Sequence, residues 1–315
     1  MNKSIAVIGS GYWGKNLIRN FNELGKLKYI YDENKESEKT QRDLYSIEPE
    51  SFENILNDLE IKGIVISTPA ETHHLIAKKC MEANKNVFIE KPICLNINDA
   101  LDLKAISEKC NVKIMVGHLL NYNDHFNKIF DLINERDLGR LIRIKSVRKS
   151  FGKLRDSENV IWSFAPHDIS MVNRFTVGDV ENLKIIKNSY FSNNNCDSAN
   201  LSYKKSGVNV EIDVDWSSIE KTHKFELFFK NGVIVFEDSH QDPDKKLFVI
   251  DTKFNENILK EKVSLDKEYI SINFNQPLLN ECSHFIDCIE NDITPLTNVD
   301  ESIKVLQTLL DSDEE

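Results

Sequence analysis

Between residues 1 and 117 the chain alternates short, largely apolar runs with longer amphipathic stretches. The runs at 5–8, 29–31, 64–66, 87–89 and 113–116 are rich in β-branched and aromatic residues. They lack a polar alternate face, as parallel strands buried on both sides do. The stretches near 14–24, 71–84 and 98–109 repeat apolar residues at helical spacing. This rhythm predicts a doubly wound parallel sheet with helices on both faces. A further helix over 124–135 leads out of it.

The pattern then changes period. Residues 140–150 and 207–216 alternate polar and apolar positions, as strands with one covered face do. Residues 223–238 predict a hairpin about Asn231-Gly232, a dipeptide suited to a type I′ turn. A helix near 165–175 interrupts this β-rich half and another follows Pro277. The fold class expected is α/β at the N-terminus, joined to a C-terminal α+β domain on a largely antiparallel open sheet. The expected domains are 1–117 and 118–315, with the helices of about 277–310 packing back on the first. An open sheet face invites a second copy, so a homodimer or homotetramer is expected.

Composition narrows the class. A chain of 315 residues suits two domains, and 29% charged residues is ordinary for a globular protein. No apolar run is long enough for a signal peptide or a membrane span, and a cytoplasmic location is expected. The six cysteines (Cys80, Cys94, Cys110, Cys196, Cys282 and Cys288) are scattered without a CxxC pair. Reduced core thiols are expected, and no metal site. A net charge of −11 argues against nucleic-acid or anionic-membrane partners.

Gly9, Gly11 and Gly14 form a GxGxxG that follows the first strand and opens the first helix. Such glycines permit a tight turn, close approach to a pyrophosphate and close helix–strand packing. A chance glycine-rich turn would read the same in isolation. Here Asp32 also ends the second strand, about 20 residues on, where a carboxylate meets the adenine ribose in a Rossmann domain. Gly9, Gly11, Tyr12, Trp13, Gly14 and Asp32 are therefore the candidate cofactor residues. No arginine follows Asp32, and Glu33 would repel a 2′-phosphate, so NAD is expected over NADP.

Two more segments fall at strand ends, where ligands meet such sheets. Thr68-Pro69 closes the third apolar run, and Glu90-Lys91-Pro92 closes the fourth. The segments GYWGKN, STPAETHH, FIEKP, VGHLLNYN and FAPHDIS occur in that order. Together they resemble the glucose–fructose oxidoreductase/inositol dehydrogenase (Gfo/Idh/MocA) family of Rossmann-fold sugar dehydrogenases. The resemblance implies that Lys91 contacts the reacting hydroxyl and the nicotinamide region. It implies that His167 is the acid/base, and that Thr68, Pro69, His73 and Glu90 support the cofactor pocket. The chemistry accounts for such residues. Hydride leaves a carbinol carbon as the hydroxyl proton is removed, imidazole accepts protons near neutrality, and an ammonium stabilises the developing charge.

One position departs from the family pattern. Many relatives carry an aspartate four residues before this histidine, where this chain has Ser163. The motif WSFAPHDIS resembles the branch that oxidises UDP-N-acetyl-hexosamines at C3, and implies a nucleotide-sugar substrate. Arg140, Arg143, Lys145, Arg148, Lys149, Lys153 and Arg155 stand together without an acid. Strand alternation separates Arg148 from Arg143, Lys145 and Lys149. Arg148 is the candidate for the diphosphate, against a solvated charged strand edge as the plainer reading. Ser163 and His167 complete the candidate substrate site. His118, Asn121 and Tyr122 could line the cleft, and Trp162 is equally a packing aromatic or a wall of the nicotinamide site. The alternatives are a dehydrogenase of a simple sugar or cyclitol, a 3-ketosugar reductase, and a non-catalytic NAD-binding regulator.

Overall fold

The structure, a computed structural model, describes residues 3–314 except 152–157, 192–194 and 252–265. The elements run β1 (Ile5–Ile8), α1 (Gly14–Glu23), β2 (Leu27–Tyr31), α2 (Lys35–Tyr45), α3 (Phe52–Asn57), β3 (Gly63–Ile66), α4 (His73–Glu82), β4 (Asn86–Glu90), α5 (Ile97–Cys110) and β5 (Ile114–Gly117). There follow α6 (Asp124–Glu135), β6 (Leu141–Lys149), α7 (Val160–Asn173), β7 (Glu181–Asn188), β8 (Ser198–Lys205), β9 (Val208–Asp215), β10 (Thr222–Phe229), β11 (Gly232–Glu237), β12 (Leu247–Asp251) and β13 (Glu268–Tyr269). The chain ends with α8 (Pro277–Glu290) and α9 (Val299–Glu314). These elements form two compact units, Met1–Tyr122 with Gln276–Gln307 and Asn123–Asn275 with Thr308–Glu315.

The first unit carries a parallel sheet in the order β2-β1-β3-β4-β5. After β1 the chain turns to β2 on one side, and β3 returns on the other. The loops after β1 and β3 therefore part at the carboxyl edge, where such sheets open a crevice. The boundary lies at Tyr122 rather than 117. Residues 276–307 also belong to this unit. Sequence-distant burial is the reason. Leu278, Cys282, Phe285 and Ile286 of α8 join Leu17, Phe21 and Phe88 in one core cluster. The Phe285 ring lies 6.4 Å from Phe21 and 5.7 Å from Phe88.

Helices α2 and α3 fall in a stretch whose pattern predicts neither. The inward face of α2 buries Glu38 and Gln41 rather than a full apolar stripe. Glu38 is paired with Lys35 at 2.6 Å and Arg42 at 3.0 Å, so charge replaces hydrophobicity there.

The second unit is built on an eight-stranded sheet in the order β13-β12-β11-β10-β6-β9-β8-β7. It is antiparallel except that β6 and β9 run parallel. Helix α7 packs across β6, β8 and β9, and α6 against β11. Phe126 of α6 sits in an aromatic cluster with Phe225, Phe236 and Phe175, ring centroids 5.7–6.1 Å away.

Two local expectations are corrected. Phe229 pairs with Gly232, so the turn between them is Lys230-Asn231, and neither residue has positive φ. It is therefore not type I′. Backbone bonds from Lys230 and Asn231 to the carbonyls of Arg140 and Leu138 set its shape instead. The mirror-image turn lies between β8 and β9, where Ser206 and Gly207 have φ of 53° and 74°. Helix α7 begins at Val160 rather than near 165. The Asn159 side chain accepts hydrogen bonds from the N–H groups of Ile161 and Trp162, and Pro166 then lies inside the helix.

A buried ion pair holds α7 to the sheet. Arg148 of β6 donates from Nε to Asp168 Oδ2 at 2.7 Å and from Nη2 to Oδ1 at 3.1 Å. Ser146 donates to the same carboxylate at 2.6 Å. Arg148 is 7% exposed and Asp168 1%. Alternation does place Arg148 apart from Arg143, Lys145 and Lys149, but on the face that α7 covers. Arg148 is a structural cation here, not an open diphosphate contact. Removing one partner of a buried pair leaves the other charge stranded, at about 3–5 kcal/mol. Asp168→Ala should lower stability on that scale in a urea titration, and adding Arg148→Met should recover much of the loss. A double variant no more stable than the single one would assign the loss to packing.

Candidate active site

The loop from β1 to α1 is shaped by close backbone approaches. Gly9 has φ +98°, and a Cβ there would lie 2.6 Å from the Ser67 carbonyl oxygen. A Cβ at Gly14 would lie 2.1 Å from the Gly9 carbonyl oxygen, whereas one at Gly11 meets nothing within 4 Å. The first and third glycines thus serve packing, and the second leaves the loop open to a ligand. Helix α1 starts here without a side-chain cap and without an acid in its first turn. By contrast α2, α5, α6 and α7 are each capped by an asparagine side chain. An uncapped N-terminus leaves N–H groups and the positive end of the helix dipole for a phosphate. The Tyr12 side chain stands 92% exposed on this loop.

Asp32 is held at the end of β2. Its Oδ2 accepts from Ser10 N at 2.6 Å and Ser10 Oγ at 2.9 Å, and its Oδ1 from Asn34 N at 2.8 Å. Each carboxylate oxygen has two lone pairs. One on Oδ1 therefore remains for a ribose hydroxyl. Lys35 Nζ donates to the Asp32 carbonyl at 3.0 Å, but its charge is paired with Glu38. The residues present fit a bound dinucleotide.

The ends of β3 and β4 are tied together by His73. Its Nε2 meets the Thr68 carbonyl at 2.9 Å and its Nδ1 the Pro92 carbonyl at 2.8 Å. Burial lowers its pKa while the two carbonyls pull it upward. His73 therefore acts on the site through these two loops. Thr68 Oγ1 bonds Thr72 Oγ1 at 2.7 Å, and the Pro69 carbonyl accepts from Thr72, closing the turn into α4.

Lys91 follows directly on β4. Beside it, Glu90 accepts at Oε1 from the Trp13 indole N–H and at Oε2 from the Lys91 backbone N–H at 3.3 Å. Burial pushes the Glu90 carboxyl up to about 7 against these donors and the Lys91 charge. His118, at the end of β5, is pushed down to about 3 by burial and by the Lys91 cation. It is neutral at physiological pH. Asn121 and Tyr122 are buried, with the Tyr122 hydroxyl 2.8 Å from Thr297 Oγ1, so Tyr122 belongs to the core.

In the second unit Ser163 and His167 stand four residues apart on α7, and so on one helical face. Ser163 is buried and His167 half-buried. Lys91 and His167 thus belong to different units. Trp162 donates its indole N–H to Asp313 at 2.7 Å, a packing contact with α9. Two members of the basic cluster are paired on the strand face opposite Arg148. Arg143 meets Glu211 and Lys149 meets Asp213, both at 2.5 Å. Lys153 and Arg155 lie outside the described residues.

Two residues escaped the sequence reading. Asp168, adjacent to His167, carries the anchor of α7. Glu281 of α8 is fully buried in the first unit. Its signal was an acid on the apolar stripe of Leu278, Cys282 and Phe285. Among the described residues no helix is long and apolar enough to cross a membrane, and no group of three potential ligands is placed to hold a metal.

Similarities to known proteins follow this geometry. Over 181 residues the chain is 27% identical to the uncharacterized oxidoreductase YrbE of Bacillus subtilis, covering 55% of this chain and 53% of the relative. It is 27% identical over 147 residues to 2,7-anhydro-N-acetylneuraminate hydratase of Escherichia coli, covering 46% of this chain and 39% of the relative. The matched region thus spans about half or less of these relatives. The UDP-N-acetylglucosamine 3-dehydrogenase GnnA of Acidithiobacillus ferrooxidans shares the fold, with a TM-score of 0.85 at 17% identity over 99% of this chain and 96% of that one. Residues 3–118 match the model of the Gfo/Idh/MocA oxidoreductase family, described as an NAD-binding Rossmann fold. The likeness to that family is carried by this N-terminal domain.

Proposed function

We propose that the protein is an NAD-dependent dehydrogenase that oxidises a sugar hydroxyl, with C3 of a UDP-N-acetyl-hexosamine as the favoured substrate position. The observation that carries this reading is the charge arrangement at the end of β4. Lys91 presents a cation beside a histidine held neutral and an acid held near 7. Such a cation suits an oxygen on which negative charge develops. A bound nicotinamide supplies the hydride acceptor. Lys91 polarises the hydroxyl, and His167 accepts its proton. Ser163 replaces the carboxylate of many relatives with a hydroxyl, which leaves the proton to His167.

The substrate class is supported by the resemblance of FAPHDIS to the UDP-amino-sugar branch and by the shared fold with GnnA. A second reading, a dehydrogenase of a simple sugar or cyclitol, is favoured by Arg148. Its guanidinium is bound to Asp168, which removes the expected diphosphate contact. A panel of UDP-sugars and free polyols, followed by NADH absorbance and product mass, separates the two. Turnover of polyols alone would overturn the nucleotide-sugar reading.

Cofactor choice has its own test. The remaining lone pair on Asp32 suits a free ribose hydroxyl and repels a 2′-phosphate. NAD should bind more tightly than NADP. Asp32→Ala should weaken NAD by roughly ten- to a hundredfold, the range for a hydrogen bond to a charged group. Titration by cofactor fluorescence measures both, and equal binding of NADP would sink the assignment.

The catalytic pair makes a further prediction. His167→Asn should lower kcat by about 10²–10⁴-fold, the usual contribution of a general base. Lys91→Met should also lower kcat, and the double variant should be little worse than the poorer single one. NAD titrations on each variant check that cofactor binding survives. Near-normal kcat in His167→Asn would send the proton elsewhere.

A further inference from the structure

Helix α8 carries into the first unit a carboxyl group that no donor meets. Glu281 is fully buried, and neither of its oxygens has a hydrogen-bond partner among the described residues. A bare carboxylate there would cost several kcal/mol. Its surroundings follow from the packing of α8 on β4. Phe285 meets Phe88, and Glu281 lies one helical turn before Phe285 while Glu90 lies two residues beyond Phe88. Each acid therefore shares a face with its aromatic neighbour. Side chains of Ile289 and Phe285 reach Gly63 at the start of β3, so α8 runs against the strands. Its N-terminal turns, and Glu281 with them, lie toward the carboxyl ends where Glu90 stands.

The groups facing this point are few. From the loop after β1 comes the Trp13 indole N–H, and from the end of β4 the Lys91 cation. Tyr122 follows β5 and interacts with Glu281, as does Cys282 on the same helix. A Cβ at Gly117 would lie 2.8 Å from Glu90 Oε2, so that glycine lets the Glu90 carboxyl settle against β5. Burial, and then the neighbouring Glu90 charge, raise the Glu281 carboxyl well above its usual range.

We propose that Glu281 and Glu90 hold one proton between them, Glu281 as the neutral acid and Glu90 as the carboxylate, and that the pair fixes a single negative charge beside Lys91. Two ionised carboxylates would repel each other in a dry site. Two neutral acids would remove the Glu90 charge with which Lys91 interacts. The shared proton avoids both, and it stays within the pair during turnover. Glu281 is thus a positioning residue that acts on Lys91 through Glu90. Only the kinetic half of the test rests on the dehydrogenase reading.

The test compares the full-length protein with E281Q and E281M, with thermal unfolding as the check that each is folded. Infrared spectra with ¹³C-labelled glutamate carboxyls should show a protonated, buried carboxyl at neutral pH. That band should be missing from E281Q, whereas in E281M the proton should pass to Glu90 and the band should shift rather than vanish. No substrate is needed for this arm, so it stands even if no sugar is turned over. Its absence from the unaltered protein, or its persistence in E281Q, would overturn the proposal. In kinetics, E281M replaces a polar neighbour of the Glu90 carboxylate with an apolar one, which disfavours the charged form. The acid limb of kcat/KM should move to higher pH, with a loss of about tenfold at neutral pH, as for a carboxyl raised by about one pH unit. E281Q keeps a polar side chain there, and its limb should move less. A shift to lower pH in E281M would mean that a second anion had been removed, and the proposal would fall. Should E281M fail to fold, the infrared band in E281Q decides.

Discussion

The indole N–H of Trp13 reaches from the glycine loop to the carboxyl group of Glu90, and so joins the loop after β1 to the end of β4. The other Glu90 oxygen takes the backbone N–H of Lys91. One side chain thereby links the cofactor loop to the residue that presents the cation. His73 adds a second tie, between the ends of β3 and β4. Three strand ends at one edge of the parallel sheet are connected by side chains rather than by ladder bonds. A shift of any one would displace the others, which is how a site formed on loops acquires the rigidity of its scaffold.

The second unit meets the same need with an ion pair. Arg148 and Ser146 grip Asp168 from the sheet, and Asp168 sits next to His167 on α7. The pair contributes little net stability over a well-packed apolar alternative. Its two-point geometry does fix the rotation of α7, because a fork of two N–H donors meets both carboxylate oxygens. Ser163 and His167, four residues apart, then share a defined face.

The parallel strands were legible because burial on both faces leaves β-branched runs that polar surface would interrupt. The cofactor loop was legible because three glycines, a strand and an acid had to coincide. Helix α2 was not, since Glu38 is buried with Lys35 and Arg42, and paired charge has no hydrophobic period. Asn231-Gly232 misled because the carbonyls of Leu138 and Arg140 shape that turn, and local propensity yields to such contacts. Arg148 shows the limit most clearly. Alternation set its face, but only the arrival of Asp168 from α7 shows whether that face holds a ligand or a partner.

The two buried acid sites also differ in what they cost the fold. Asp168 is neutralised by a guanidinium that stays charged at every relevant pH. Glu90 has no such partner fully to itself, and its carboxyl is raised from 4.5 to about 7. In that window the folded chain binds more protons than the unfolded one, so stability falls as pH rises from about 4.5 toward 7. At neutral pH, where Glu90 and Lys91 would work as a charged pair, the fold carries that loss. An acid kept beside the site under these terms is better explained by what it does for Lys91 than by any gain in stability.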